Sequence, residues 1–279
     1  MTECVFYDSR LLDDAVFSPL RGKRLFIFDQ DGTIYLGGRA FPFAVDFIRR
    51  LRESGRRVLF FTNNASHDPV FYLDKLSRLG FSPDRSELLT SGDVTIQFLL
   101  RKRPGQSVYL VGTPELERQF RAAGIELSDD AGIVVTSFDT TLTYAKLERA
   151  CTLIRGGAEY LSTHPDFNCP TETGFIPDSG AISAFVTAST GVTPRYFGKP
   201  YADTLDMMCE VTGEAKEDMC VFGDRLYTDI ALGRRNGMTS CLVLTGETTL
   251  DDVMKADDAD KPDYVFPSLA EADRVILGV

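Results

Sequence analysis

Histidine is scarce: only His67 and His164 occur in 279 residues, which excludes a site built from several imidazoles. Any metal must then be held mainly by oxygen, and oxygen donors favour Mg²⁺. The six cysteines, Cys4, Cys151, Cys169, Cys209, Cys220 and Cys241, contain no Cys-x-x-Cys pair. Those inside apolar runs, such as Cys220 in Met-Cys-Val-Phe, read as small core residues rather than disulfide or zinc partners. No apolar run reaches the roughly 18 residues of a membrane span, and the N-terminus lacks the basic start and apolar stretch of a signal peptide. The expectation is a cytoplasmic protein with no membrane partner. Positive charge is also short, with 30 Lys and Arg against 41 Asp and Glu and a net charge of −11. Without a basic stripe to displace counterions, binding along a nucleic-acid backbone is not expected.

What is present is an alternation of apolar strand-like runs and helical patterns from end to end, the signature of a largely parallel α/β sheet. Arg24–Asp29 reads as a first strand, followed by a helix marked by Phe43, Phe47, Ile48 and Leu51. Arg57–Thr62 is a second strand, before a helix carrying Val70, Leu73, Leu76 and Leu79 that stops at Gly80. After a helix near 92–100, the charged, helix-breaking run 101–106 is a hinge candidate. Strands at 108–111, 133–136 and 159–162 follow, with a helix carrying Leu147, Ala150, Cys151 and Ile154, then a polar, proline-rich stretch over 163–180. Past Pro194 the strand and helix pattern resumes. The expected organisation is an α/β domain in two pieces, 1–104 and 194–279, interrupted by a smaller one at 105–193.

Four polar clusters stand directly after hydrophobic strands of the split domain, so each is expected at one edge of a parallel sheet, where such folds bind ligands. Asp29 and Asp31, two apart at a strand end, point to one side, and Gly32 and Thr33 turn the chain. Thr62 and Asn63 offer a hydroxyl and amides to a phosphate oxygen, joining Gly32 and Thr33 in a phosphate-binding set. Lys199, in Gly-Lys-Pro, is a fixed cation able to lie against both phosphate and Asp29. Asp224 at a strand tip is a natural Mg²⁺ ligand, and Asp229 either binds a metal water or orients its neighbours. Phosphoryl transfer needs such a set, because the protein's part is positioning and charge neutralisation. Asp29 is the expected nucleophile and Asp31 the acid and base. An EF-hand is excluded, because the twelfth position counted from Asp29 is Ala40.

Asp-Gln-Asp-Gly-Thr, Thr-Asn-Asn, Gly-Lys-Pro and Gly-Asp-x-x-x-Thr-Asp, in that order, resemble the haloacid dehalogenase superfamily of phosphotransferases. The large insertion between Thr62 and Lys199, with Thr-His-Pro-Asp inside it and Leu-Thr-Gly-Glu-Thr-Thr-Leu-Asp-Asp near the end, resembles the NagD-type subfamily, whose members include p-nitrophenyl, pyridoxal and phosphoglycolate phosphatases. The resemblance implies a Rossmann-like core under an inserted α/β cap of the C2 type. It also implies Mg²⁺ held by Asp29, the Asp31 backbone carbonyl and Asp224, and substrate choice by the cap, with His164, Asp166, Asn168 and Tyr144 as candidates. Relatives often pair through their caps, so a homodimer is implied by analogy. The function expected is a Mg²⁺-dependent phosphatase of small phosphorylated metabolites working through an aspartyl-phosphate. A phospho-accepting receiver or a phosphomutase would use the same aspartate; a receiver needs neither Asp31 nor a domain roofing the site.

Overall fold

The computed structural model describes residues 4–8, 15–171 and 174–278. Along the chain the strands are β1 (Val5–Phe6), β2 (Leu25–Phe28), β3 (Tyr35–Leu36), β4 (Arg39–Ala40), β5 (Arg57–Thr62), β6 (Leu88–Thr90), β7 (Val108–Val111), β8 (Ile133–Thr136), β9 (Glu159–Ser162), β10 (Asn168–Thr171), β11 (Gly174–Pro177), β12 (Arg195–Tyr196), β13 (Met219–Gly223), β14 (Thr239–Val243) and β15 (Tyr264–Phe266). The chain forms two compact units: Met1–Phe61 with Leu73–Leu88 and Leu205–Val279, and Thr62–Tyr72 with Leu89–Thr204.

The first unit is built on a sheet of order β1-β15-β14-β13-β2-β5-β6. Its neighbouring strands from β1 across to β5 all run parallel. Every residue of β2 and β13 is buried, as expected of strands covered on both faces, which read as unbroken apolar runs. Phe222 of β13 stacks on Phe26 and Phe28 of β2, with ring centroids 6.3 and 5.4 Å away, and Phe47 meets Phe28 edge-on at 5.9 Å. Each buried ring of this kind contributes about 1.5–3 kcal/mol. Phe47 comes from the helix Pro42–Glu53, which buries Ala44, Phe47, Ile48 and Leu51. Phe43, expected on that face, instead stacks on Phe41 at 5.3 Å, and the small Ala44 takes the core position.

The second unit has its own parallel sheet, order β12-β9-β8-β7. Against it packs the helix Tyr144–Arg155, burying Leu147, Ala150, Cys151 and Ile154, the four positions its spacing predicts. The stretch 163–180, read from sequence as an irregular polar segment, contains an antiparallel hairpin of β10 and β11. The two strands carry Pro170 and Pro177, and β11 shows no alternating burial, being exposed throughout, so the period that marks a strand is missing there. Among the described residues no helix is long and apolar enough to cross a membrane.

Candidate active site

Two adjacent central strands, β2 and β13, deliver the acidic residues. Their register pairs Ile27 with Val221 and Phe28 with Phe222, and the Asp29 amide donates to the Phe222 carbonyl at 2.9 Å. Parallel neighbours in that register end together, so Asp29 and Asp224 emerge side by side at the carboxyl edge of the sheet. Asp229 joins them from a single π-helical turn, Leu226–Ile230, a distortion frequent at functional sites. One carboxylate oxygen from each of Asp29, Asp224 and Asp229 lies within 4.8 Å of the other two.

Asp224 is held tightly. Its Oδ2 accepts the Glu247 amide at 2.7 Å, and its carbonyl accepts the Thr248 amide at 3.1 Å. Two glycines permit this approach. A Cβ on Gly32, whose φ is +83°, would sit 2.5 Å from Asp224 Oδ2, and one on Gly246 would overlap the same oxygen. Thr245 closes the loop by donating to the Gly32 carbonyl at 2.7 Å. Asp224 is nonetheless only 2 % exposed, and its Oδ1 has no hydrogen-bond partner among the described residues. Burial, with the charges of Asp29 and Asp229, pushes its carboxyl up to about 8. Converging carboxylates that share one buried space favour either a proton or a cation. With oxygen donors alone, and an orphaned carboxylate oxygen among them, the cluster fits a hard divalent ion such as Mg²⁺.

Asp31 sits at the start of the following turn, where Gly32 donates to the Tyr35 carbonyl at 2.8 Å. Burial raises its carboxyl above the usual range, against the opposing pull of Lys75 and Arg225. Lys75 donates to the Tyr35 hydroxyl and Tyr35 to Gln30 Oε1, both at 3.0 Å. Thr33 is fully buried, and its hydroxyl has no partner among the described residues.

The remaining candidates belong to the second unit. Thr62 accepts the Asn64 amide at 3.2 Å. Asn63 is buried and grips the Lys199 backbone at two points: its Oδ1 accepts the Lys199 amide at 2.8 Å, and its Nδ2 donates to the Lys199 carbonyl at 3.1 Å. The same Nδ2 donates to the Asp166 carboxylate at 3.2 Å. Lys199 itself is 3 % exposed. His164, grouped from sequence with the substrate-choosing residues, is fully buried, with Nε2 2.8 Å from Asp178 Oδ1 and Nδ1 2.9 Å from Thr163 Oγ1. Asp166 is half-buried, Asn168 is exposed at the start of β10, and Tyr144 is 76 % exposed at the start of its helix.

A haloacid dehalogenase-like hydrolase family model matches residues 26–126, and a second, HAD-hydrolase-like model matches 196–272. The chain is 35% identical over 255 residues to an acid sugar phosphatase of Staphylococcus aureus, covering 91% of this chain and 98% of that one. The chain belongs to the haloacid dehalogenase superfamily. Within it the chain groups with the NagD-like hydrolases. The crystal structure of a 4-nitrophenylphosphatase from Thermotoga maritima is similar at a TM-score of 0.89 and 42% identity, over 92% of this chain and 99% of that one. A glycerol phosphate phosphatase from Mycobacterium tuberculosis, solved in complex with magnesium, is similar at a TM-score of 0.83 and 30% identity, over 90% and 76% of the two chains. The protein is a phosphoric monoester hydrolase with a Rossmann-like α/β core.

Sequence reasoning assigned no role to four contributors to these sites. Gly246 and Glu247 fix Asp224, and the signal was a Thr-Gly-Glu turn directly after the β14 strand. Asp178, the partner of His164, was hidden 14 residues downstream in a stretch read as a loop. Ser91 donates to the Asn63 carbonyl at 2.5 Å, and nothing in its local sequence marks it.

Proposed function

We propose that the protein hydrolyses small phosphomonoesters with the aid of Mg²⁺, through an aspartyl-phosphate on Asp29. The observation that carries this reading is the convergence of Asp29, Asp224 and Asp229, with a buried oxygen of Asp224 that has no hydrogen-bond partner among the described residues. The magnesium-bearing relative and the sugar, nitrophenyl and glycerol phosphate phosphatases support it.

A carboxylate oxygen of Asp29 attacks phosphorus, and the bond from phosphorus to the ester oxygen breaks. Asp31 gives its proton to that departing oxygen. Asp31 then takes a proton from water as the water oxygen bonds to phosphorus, and the bond to Asp29 breaks to release inorganic phosphate. Such positioned proton transfer is worth about 10²–10⁴ in rate. Asp29, the Asp31 carbonyl and Asp224 would hold the Mg²⁺, with Asp229 ordering this set. When bound, the ion supplies positive charge to offset that of the carboxylates and the phosphoryl oxygens. Gly32, Thr33, Thr62 and Asn63 bind the phosphoryl group, Thr33 with a buried hydroxyl that has no partner among the described residues. Lys199, on its motif, neutralises negative charge during transfer. The inserted segment 105–193 is assigned as the cap, and Asp166, Asn168 and Tyr144 are assigned to substrate choice.

Asp29→Asn tests the reading directly. Steady turnover of 4-nitrophenyl phosphate with Mg²⁺ is expected from the wild type and is expected to fall by about 10⁴-fold or more in the variant. A variant that retains the original rate shows that Asp29 is not the nucleophile.

A further inference from the structure

His164 lies at the centre of a buried polar chain whose proton directions can be worked out. Ser91 gives its hydroxyl proton to the Asn63 carbonyl at 2.5 Å. Thr163 gives its own to Ser137 Oγ at 2.9 Å. A hydroxyl has one proton, so both can only accept from His164 Nδ1, which lies 2.9 Å from Thr163 Oγ1 and 3.3 Å from Ser91 Oγ. Nδ1 therefore carries a hydrogen. On the other side of the ring, Nε2 faces Asp178 Oδ1 at 2.8 Å. That oxygen also accepts the Ser179 amide at 2.6 Å, with Asp178 capping the 12-residue helix Ser179–Thr190. That oxygen already serves as an acceptor, so Nε2 is the donor across the 2.8 Å contact and carries a hydrogen too. The ring is an imidazolium, fully buried, with each N–H directed at a protein acceptor.

The chain continues past the ring. Ser91 anchors the Asn63 backbone, and the Asn63 side chain clamps both the amide and the carbonyl of Lys199. Every link has its own partner inside the second unit, which makes the assembly a rigid support rather than a surface for a ligand.

We propose that His164 is a positioning residue: a buried imidazolium that, through Ser91 and Asn63, fixes the backbone of Lys199 for phosphoryl transfer. The kinetic half of this inference rests on the assignment of Lys199 above; the charge state of the ring does not. Asn63 thereby acts on Lys199 with its side chain, in addition to any contact its backbone makes with phosphate.

Two measurements test it. Nitrogen-15 NMR of the whole chain resolves the ring, because the only other histidine is His67. At pH 7 His164 is expected to show a directly bonded proton on both nitrogens, and a neutral tautomer would overturn the imidazolium. Kinetics with 4-nitrophenyl phosphate test the support. Asn63→Ala is expected to lower kcat on the order of 10²-fold, as small misplacement of a catalytic group does, with KM moving less than about threefold. His164→Gln is expected to lower kcat in the same manner, and the double variant to lose little more than Asn63→Ala alone. Losses that multiply, a change confined to KM, or an unaffected Asn63→Ala would overturn the positioning role. If His164→Gln fails to fold, the NMR result and Asn63→Ala still decide. An active Asp29→Asn enzyme would fault the proposed nucleophile while leaving the ring and clamp results standing.

Discussion

Among the described residues, two triads of titratable side chains meet the same geometric criterion and differ in what they have left over. In the first unit Asp29, Asp224 and Asp229 bring oxygens within 4.8 Å, and in the second His164, Asp166 and Asp178 bring ligand atoms within the same distance. The first triad is three carboxyl groups, and one Asp224 oxygen has no hydrogen-bond partner among the described residues. The second carries its own cation, and both ring nitrogens already have partners. Proximity of ligating atoms thus does not by itself mark a candidate metal site; a buried ligating oxygen left without a hydrogen bond is the further sign.

The sharpest way to break this contrast is Asp224→Ala. It should lower kcat/KM by about 10³-fold, the several kcal/mol that charge stabilisation by a metal supplies. Addition of Mg²⁺ should raise the melting temperature of the wild type, since a ligand at 100 times its Kd adds about 2.7 kcal/mol. That rise should vanish in Asp224→Ala and survive in Asp178→Asn. The reverse pattern would place the ion in the second triad. Gly246→Ala should come next, with a loss of about 10–100-fold, because its methyl group displaces Asp224 without touching the nucleophile. Full activity in that variant would show that Asp224 has room to move.

The smallest effect is a pH dependence of stability. Burial alone would lower the His164 pKa, but the charge and hydrogen bond of Asp178, with Asp166 beyond, raise it above the ordinary histidine value. A group with a raised folded pKa stabilises fully below its unfolded value, and that contribution fades as pH rises through the folded value. The melting temperature of the wild type should therefore exceed that of His164→Gln most at or below about pH 6.5, and the gap should narrow on going more alkaline. A gap that widens instead would mean the ring is buried neutral.

The acidic triad was legible because each member follows or closely trails an unbroken apolar run. Leu25–Phe28 and Met219–Gly223 announce central strands, and whatever comes next must sit at the sheet edge. The second triad was not legible. His164 and Asp178 are separated by the β10 and β11 pair, whose prolines erase the strand period, so their pairing depends on a register between those strands that sequence spacing does not reveal. Ser91 and Glu247 were hidden for a related reason: they act through a hydroxyl or a backbone amide, groups whose use depends on where the chain passes rather than on residue type.

The exposed hairpin has a consequence for how such an enzyme changes. Phe175 and Ile176 on β11, and Phe167 beside β10, are largely open to solvent, whereas every side chain of β2 and β13 is enclosed. Substitutions on the hairpin therefore leave the hydrophobic core intact, while almost any change in the two strands disturbs the carboxylates at their tips. On the proposed role of Asp166 and Asn168 in substrate choice, selection for altered preferences has freedom in one place and almost none in the other, so the reaction can stay constant while the molecules it accepts diverge.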